Sequence, residues 1–485
     1  MSSSPQFDTV VIGGGQGGAL ARMLCEGGQR VAIIECDHFG GTCTNYGCTP
    51  SKAFQASAKR AHDARTAGPL GVHITEVIVN FREVVARAQS IVTDFRDEVA
   101  DRLEHLPTIT RFDGTGRFAG PREGGLWTIE VETREGTQRI QTPHVVLATG
   151  AKPLIPDLEG LADTPYLTYK TLWTLDALPD HLVVMGGGYI GCEVAQMFRR
   201  FGAQVTLLQK GPQLLTKEDP DVAEAVADIL REDDVDVRLG TACVRVAGEG
   251  DTSQGDTAKG QGVTLHLERE GREETLRASH LLVAVGQEPN TKPLQLDKAG
   301  IETDDKGALR INDSLEAAPG VWGLGDCKGG PQFTHVAFDD ARRIAHHLLH
   351  SEPIVISDRV VPSVVFIDPQ LGRVGLSEAE AQKTGVAYRV AQVPVCDTAR
   401  GIESGEDKGF LKILVGEDDQ VLGAALLARD GGELIGIIQT AIAGKLSYRA
   451  LFDMLWAHPT QSEAFYRVLK SISMPESAKM RQKSS

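Results

Sequence analysis

An apolar run from Thr9 to Ile12 breaks at Gly13-Gly14-Gly15-Gln16-Gly17-Gly18. It gives way to an Ala/Leu-rich stretch of helical spacing and then to a second apolar run, Val31-Ala32-Ile33-Ile34-Glu35. A short buried strand, a glycine turn, a helix and another buried strand predict a βαβ unit. The pattern returns at Leu182-Val183-Val184-Met185, followed by Gly186-Gly187-Gly188-Tyr189-Ile190-Gly191, a helix through Phe201 and the strand Val205-Thr206-Leu207-Leu208. Between these units, residues 53–106 read as mostly helical. Residues 110–147 read as strand-rich and end in Val145-Val146-Leu147-Ala148-Thr149-Gly150. Leu281-Leu282-Val283-Ala284-Val285-Gly286 closes the second unit, and Val321-Trp322-Gly323-Leu324-Gly325-Asp326 is a further strand ending at an acid. The Gly/Asp/Ser/Thr/Gln-rich segment 248–262 predicts a mobile hairpin tip. Beyond about residue 355 the character becomes α+β, with strands predicted at 363–367, 410–415 and 421–428 and helices from Glu433 onward. The fold class expected is α/β: two Rossmann-like dinucleotide-binding units and a C-terminal α+β domain.

The spacing within each glycine turn carries chemistry. In the first, Gly13 permits the tight turn, Gly15 lets a pyrophosphate approach the backbone, Gly18 lets the helix pack on the strand, and Glu35 is placed to bind a ribose hydroxyl pair. Gly186, Gly188 and Gly191 repeat the arrangement. The second unit, however, ends its strand in Gln209-Lys210 instead of an acid. A carboxylate there would repel a 2′-phosphate, so its absence beside Lys210, with Lys217 nearby, predicts NADPH in preference to NADH.

At 485 residues the chain is long enough for about three domains. A formal charge of −16 argues against nucleic acid as the main partner. No apolar run approaches the ~18 residues of a membrane span, and Met1-Ser2-Ser3-Ser4-Pro5 lacks the basic region of a secretory signal, so a cytoplasmic protein is expected. Eight cysteines are too sparse for a disulfide scaffold.

Two of the eight are close. Cys43 and Cys48 lie in Gly40-Gly41-Thr42-Cys43-Thr44-Asn45-Tyr46-Gly47-Cys48-Thr49-Pro50-Ser51-Lys52, just after the first nucleotide-binding unit. On an undistorted helix, Cα atoms five residues apart are roughly 8.6 Å distant, beyond the ~7 Å reach of a disulfide. A bridge therefore needs a distorted turn, which Gly47 permits, and Lys52 or a helix N-terminus would stabilise a thiolate when it opens. Half of a zinc site or two unrelated core cysteines are the alternatives, but no second close cysteine pair supplies the other half of a zinc site. Two dinucleotide folds and a dithiol point to electron flow from nicotinamide through a flavin to sulfur. Near the C-terminal end, His458-Pro459-Thr460-Gln461-Ser462-Glu463 sets a histidine five residues from a carboxylate that can orient it, although in isolation an ordinary turn histidine is the stronger reading.

Together, Gly41-Thr42-Cys43 to Cys48 with Pro50-Ser51-Lys52, both glycine fingerprints, Ala148-Thr149-Gly150, Gly325-Asp326 and His458-Pro459-Thr460 with Glu463 stand in the order of one family. Over essentially its whole length the chain resembles the class I pyridine nucleotide-disulfide oxidoreductases, such as glutathione reductase, dihydrolipoamide dehydrogenase and mercuric reductase. The resemblance implies bound FAD as well as NADPH, with NADH possible. Cys43 would be the interchange thiol that attacks the acceptor, and Cys48 the thiol that sits against the flavin and forms a charge-transfer pair with it. His458 would be the acid/base, oriented by Glu463 and supplied by the other subunit of an obligate homodimer. It further implies that Lys52 and Glu193 pair beside the flavin, that Tyr189 gates the nicotinamide pocket, and that Gly41, Thr42, Thr149 and Gly150 belong to the flavin site. Asp326 would bind the ribityl chain, and Thr334 would begin a helix facing the flavin's pyrimidine side.

The implied domains are a discontinuous FAD-binding domain (1–155 and 287–355), an NAD(P)-binding domain (156–286) and a dimerisation domain (356–485). Gly330 to Asp340 is similar to the mercuric-reductase-like subgroup, which includes reductases of hypothiocyanous acid. The segment Ser477 to Ser485 lacks the vicinal cysteines of true mercuric reductases, so mercury detoxification is not the expected role, although Hg(II) stands with hypothiocyanous acid and a disulfide among the acceptors the resemblance implies. Gln287 stands where the family usually has arginine. A small thiol-reactive acceptor is expected; a dihydrolipoamide dehydrogenase and a flavin-binding redox sensor without turnover are the alternatives.

Overall fold

The computed structural model describes residues 5–248 and 262–473. An eight-stranded sheet runs in the order Glu316–Ala318, Val321–Gly323, His144–Leu147, Thr9–Ile12, Val31–Glu35, Ile109–Phe118, Trp127–Thr133, Gly136–Thr142. From Val321–Gly323 to Ile109–Phe118 its strands are parallel; the far end is an antiparallel meander. The central strands carry continuous apolar runs because helices cover one face and the meander curls over the other: Val10, Val11, Val145 and Val146 are fully buried.

A second parallel sheet, in the order Asp236–Leu239, Gln204–Gln209, His181–Met185, His280–Val283, forms the core of the second unit. A three-stranded antiparallel sheet, Thr241–Gly248, Val263–Arg269 and Arg272–Ala278, is packed beside it. Most of the predicted hairpin tip at 248–262 lies outside the described residues. The chain enters and leaves this unit through two paired segments, Ala151–Pro153 against Gln287–Pro289.

The C-terminal unit is a five-stranded antiparallel sheet in the order Ser363–Val365, Gln370–Gly375, Val421–Ala428, Phe410–Gly416, Tyr388–Pro394, backed by the helix Gly431–Ala443. Sequence pattern missed the strands Gln370–Gly375 and Tyr388–Pro394: glycines interrupt the first, and the second alternates polar and apolar as a sheet edge does. The stretch 53–106 is two helices, Cys48–Arg65 and Phe81–Glu104, separated by a loop with one short turn at Gly68–Leu70. Among the described residues, no helix is long and apolar enough to cross a membrane.

Candidate active site

The segment between the cysteines is a broken helix. Gly41–Asn45 forms one short turn, and Cys48 starts the helix Cys48–Arg65. Gly47 stands at the break, where a Cβ would lie 3.1 Å from the Thr42 carbonyl oxygen and 3.5 Å from the Cys43 Cα. The missing side chain lets the chain fold back on Cys43. Buried Asn45 locks the loop: its Nδ2 donates to the carbonyls of Phe39 (3.1 Å) and Gly41 (2.9 Å), while its Oδ1 accepts from Arg96 Nε at 2.7 Å. As a result the two thiols come within hydrogen-bonding reach of each other.

The pair is strongly polarised. Hydrogen bonding from Cys43, then from Thr334, and the charge of Lys52 outweigh burial and hold Cys48 down at about 6. Cys43, giving its proton to that bond and largely enclosed, is pushed well up. One thiolate is therefore stable at neutral pH, centred on Cys48, whose Sγ lies 3.6 Å from Thr334 Oγ1 at the start of the helix Thr334–His350.

One helical turn beyond Cys48, Lys52 Nζ meets Glu193 Oε2 at 2.7 Å and lies 4.0 Å from the centre of the Phe366 ring. The other Glu193 oxygen accepts the Phe366 backbone N–H at 2.9 Å. The cation is thus fixed by both the second and the C-terminal units. Pattern alone could not have found Phe366, whose role depends on where a distant strand end lands.

Cys43, Cys48, Lys52, Glu193 and Phe366 line one continuous cavity of about 1990 Å³, which also takes in Gly13, Gly15, Glu35, Gly41, Thr42, Thr149, Gly150, Asp326 and Thr334 on one side. On the other side are Gly186, Gly188, Tyr189, Gln209, Lys210 and Lys217. Glu35 Oε2 accepts the Gly14 N–H at 2.6 Å and Oε1 accepts that of Asp37 at 2.8 Å, so the acid orders the glycine turn as well as facing the cavity. Gln209 Oε1 accepts from Gly187 N at 3.0 Å in the corresponding place. Gln287, set where arginine is usual, accepts from Tyr169 OH at 3.4 Å.

One glycine assignment is corrected. A Cβ on Gly17 would sit 2.9 Å from both Val11 Cγ1 and Ala148 Cβ, whereas one on Gly18 would meet only Leu103 Cδ1 at an ordinary 3.6 Å. Gly17, not Gly18, allows the close helix–strand approach in the first unit. In the second, Gly191 does serve tight packing, since its Cβ would lie 1.9 Å from the Gly186 oxygen. Neither Gly18 nor Gly191 lines the cavity.

The cavity wall suits a dinucleotide with a polar chain. Thr149 Oγ1 is buried and has no hydrogen-bond partner in the described residues, and the enclosed carboxyl of Asp326 lines the same cavity. Burial, reinforced by Asp340 against the pull of Lys328, pushes Asp326 up to about 6. Hydroxyl groups of a bound ribityl chain would supply the missing partners.

His458 and Glu463 pair as the sequence predicts, with Nδ1 at 3.1 and 2.9 Å from the two carboxylate oxygens. The histidine is two-thirds exposed and neither residue lines the cavity of its own chain.

A family model described as pyridine nucleotide-disulphide oxidoreductase matches residues 7–341, and the dimerisation domain of that family matches residues 361–468. The chain belongs to this family. Pyridine nucleotide-disulphide oxidoreductases are FAD-dependent enzymes with two dinucleotide-binding units and a C-terminal dimerisation domain, as here. The probable pyridine nucleotide-disulfide oxidoreductase RclA of Escherichia coli is 33% identical over 466 residues, covering 95% of this chain and 98% of its own. A mercuric reductase of Streptomyces lividans is 30% identical, with 94% of each chain covered, and a dihydrolipoyl dehydrogenase of Haloferax volcanii is 31% identical, likewise with 94% of each. The solved structure of HOCl-induced flavoprotein disulfide reductase RclA from Escherichia coli superposes with a TM-score of 0.83 at 31% identity, covering 96% of this chain and 99% of that one.

Proposed function

We propose that this family member is a cytoplasmic, homodimeric NADPH-dependent reductase that uses FAD and the Cys43–Cys48 pair to reduce hypothiocyanous acid. The polarised dithiol at the end of a cavity shared by two dinucleotide sites carries the reading. Likeness to a reductase described as HOCl-induced supports a hypohalous or pseudohypohalous acid as the class of acceptor. NADPH is supported by neutral Gln209 on the second glycine turn, with Lys210 and Lys217 at the same cavity wall. We assign residues 1–155 and 287–355 to FAD binding, 156–286 to NADPH binding and 356–485 to dimerisation. The pairing of Val321–Gly323 with His144–Leu147 supports the discontinuity.

When bound, FAD would supply two-electron transfer between the nicotinamide and the Cys43–Cys48 disulfide. Lys52, steadied by Glu193, would hold a positive charge where negative charge develops. In the dithiol, Cys48 is the resting thiolate. Cys43 gives its proton to His458 of the partner subunit and attacks the sulfur of hypothiocyanous acid. A bond forms from Cys43 to the thiocyanate sulfur, and hydroxide leaves as water with the proton from His458. Cys48 then attacks the Cys43 sulfur, releasing thiocyanate and restoring the disulfide. Glu463 keeps the imidazole oriented and supports its charged form.

The test is anaerobic NADPH oxidation with hypothiocyanous acid, glutathione disulfide, lipoamide or Hg(II) as acceptor. Turnover should be fast with hypothiocyanous acid and be abolished by Cys43→Ser, which should still allow flavin reduction. Preferential turnover of lipoamide would instead assign a dihydrolipoamide dehydrogenase.

A further inference from the structure

The Tyr189 ring is held from three parts of the fold. It begins the helix Tyr189–Phe201 and stacks on Phe333, ring centres 6.2 Å apart and planes inclined by 30°. Its hydroxyl donates to Glu218 Oε1 at 3.1 Å. The Glu218 side chain is only 2% exposed, and its second oxygen meets Arg373 Nη1 at 3.2 Å. Arg373 lies on Gln370–Gly375 in the C-terminal sheet and is itself fixed by Glu380 at 2.7 Å.

The loop carrying Glu218 is also pinned to that sheet. Asp219 accepts the backbone N–H groups of Glu378 (3.1 Å) and Ala379 (3.0 Å), and buried Lys412 donates to Asp219 at 3.2 Å and to Asp221 at 2.9 Å. Lys412 also pairs with Glu378 at 2.6 Å. Glu218 is therefore not free to follow a moving tyrosine. If the ring swings away, its hydroxyl leaves a carboxylate that stays behind with Arg373.

We propose that Glu218 is a positioning residue that latches Tyr189 closed and that its placement is set by docking of residues 218–221 on the C-terminal unit. The inference rests on the reading that Tyr189 covers the nicotinamide position. A ligand that displaces the ring must break the hydroxyl–carboxylate bond, so the latch lowers affinity for the nicotinamide cofactor while leaving the later steps untouched. It keeps the inner cavity covered until the cofactor arrives.

The test is a double-mutant cycle on the holoenzyme, with NADP⁺ affinity measured by calorimetric titration and the KM and kcat for NADPH measured in parallel. Opening the ring forfeits a hydrogen bond to a charged acceptor. Part of this is regained by solvation of the open ring, so Tyr189→Phe and Glu218→Ala should each tighten NADP⁺ binding by about three- to tenfold. KM for NADPH should fall in step. Glu218→Gln, which keeps a neutral acceptor, should shift affinity less. In Tyr189→Phe/Glu218→Ala the shift should equal that of either single variant. Additive shifts, or an unchanged affinity in Tyr189→Phe, would overturn the latch. Tyr189→Gly separates the two levels: if it leaves both NADP⁺ affinity and KM unaltered, the gate reading fails as well. If it changes them while the cycle is additive, the latch alone fails.

Discussion

Cys48 Sγ lies 3.6 Å from Thr334 Oγ1, joining the first residues of two helices 286 positions apart in the chain. The hydroxyl is one of the donors that hold the Cys48 thiolate at about 6. In the two-electron-reduced protein, thiolate absorbance against pH should rise with a midpoint near that value. Thr334→Val removes a donor to the charged form and should move the midpoint up by about one unit. A midpoint that stays in place would show that Cys43 and Lys52 suffice.

Lys52 is one of the groups that lower Cys48, and it is fixed by Glu193. Lys52→Met should therefore act twice, raising the thiolate midpoint and slowing flavin reduction by NADPH about a hundredfold in stopped-flow measurements. Lys52→Arg keeps the charge and should retain most of the low midpoint. If reduction is as fast in Lys52→Met as in the parent, the fixed cation has no part in it.

Cofactor preference should turn on Gln209, whose Oε1 accepts from Gly187 N as Glu35 accepts from Gly14 N. Gln209→Glu preserves that bond and adds a negative charge beside a 2′-phosphate. The ratio of kcat/KM for NADPH to that for NADH should drop by about tenfold to a hundredfold, corresponding to about 1.4–2.7 kcal/mol of discrimination. Steady-state kinetics with the two nucleotides check it.

The exposed His458, outside its own chain's cavity, gives the homodimer proposal a direct test. Cys43→Ser and His458→Ala homodimers should each lose acceptor turnover. Mixed dimers carrying one chain of each should regain up to half of the parental turnover, because one of their two sites pairs an intact Cys43 with an intact partner histidine. Mixed dimers as inactive as the parents would place both groups in one chain.

Both dinucleotide units were legible in the chain because a strand, a glycine turn and a helix are neighbours in sequence: Gly13 and Gly186 take φ of +113° and +117° at the turns that the spacing predicts. The cysteine spacing likewise demanded a broken helix, and Gly47 breaks it. Sequence order and the resemblance it carries also point to Cys43, Cys48, Lys52, Glu193, Thr334, His458 and Glu463. What they could not decide were contacts made by elements that meet only after folding. Whether Gly17 or Gly18 touches the strand depends on helix rotation, which a glycine-rich pattern leaves open. Glu218, just before the helix Pro220–Glu232, is not singled out by any local pattern; Arg373, on a strand 155 residues away, makes it a fixed acceptor for Tyr189. Local pattern determines conformation because backbone sterics and periodicity act over a few residues; the partners of a buried charge are decided by long-range packing, which brings together side chains that no local rule relates.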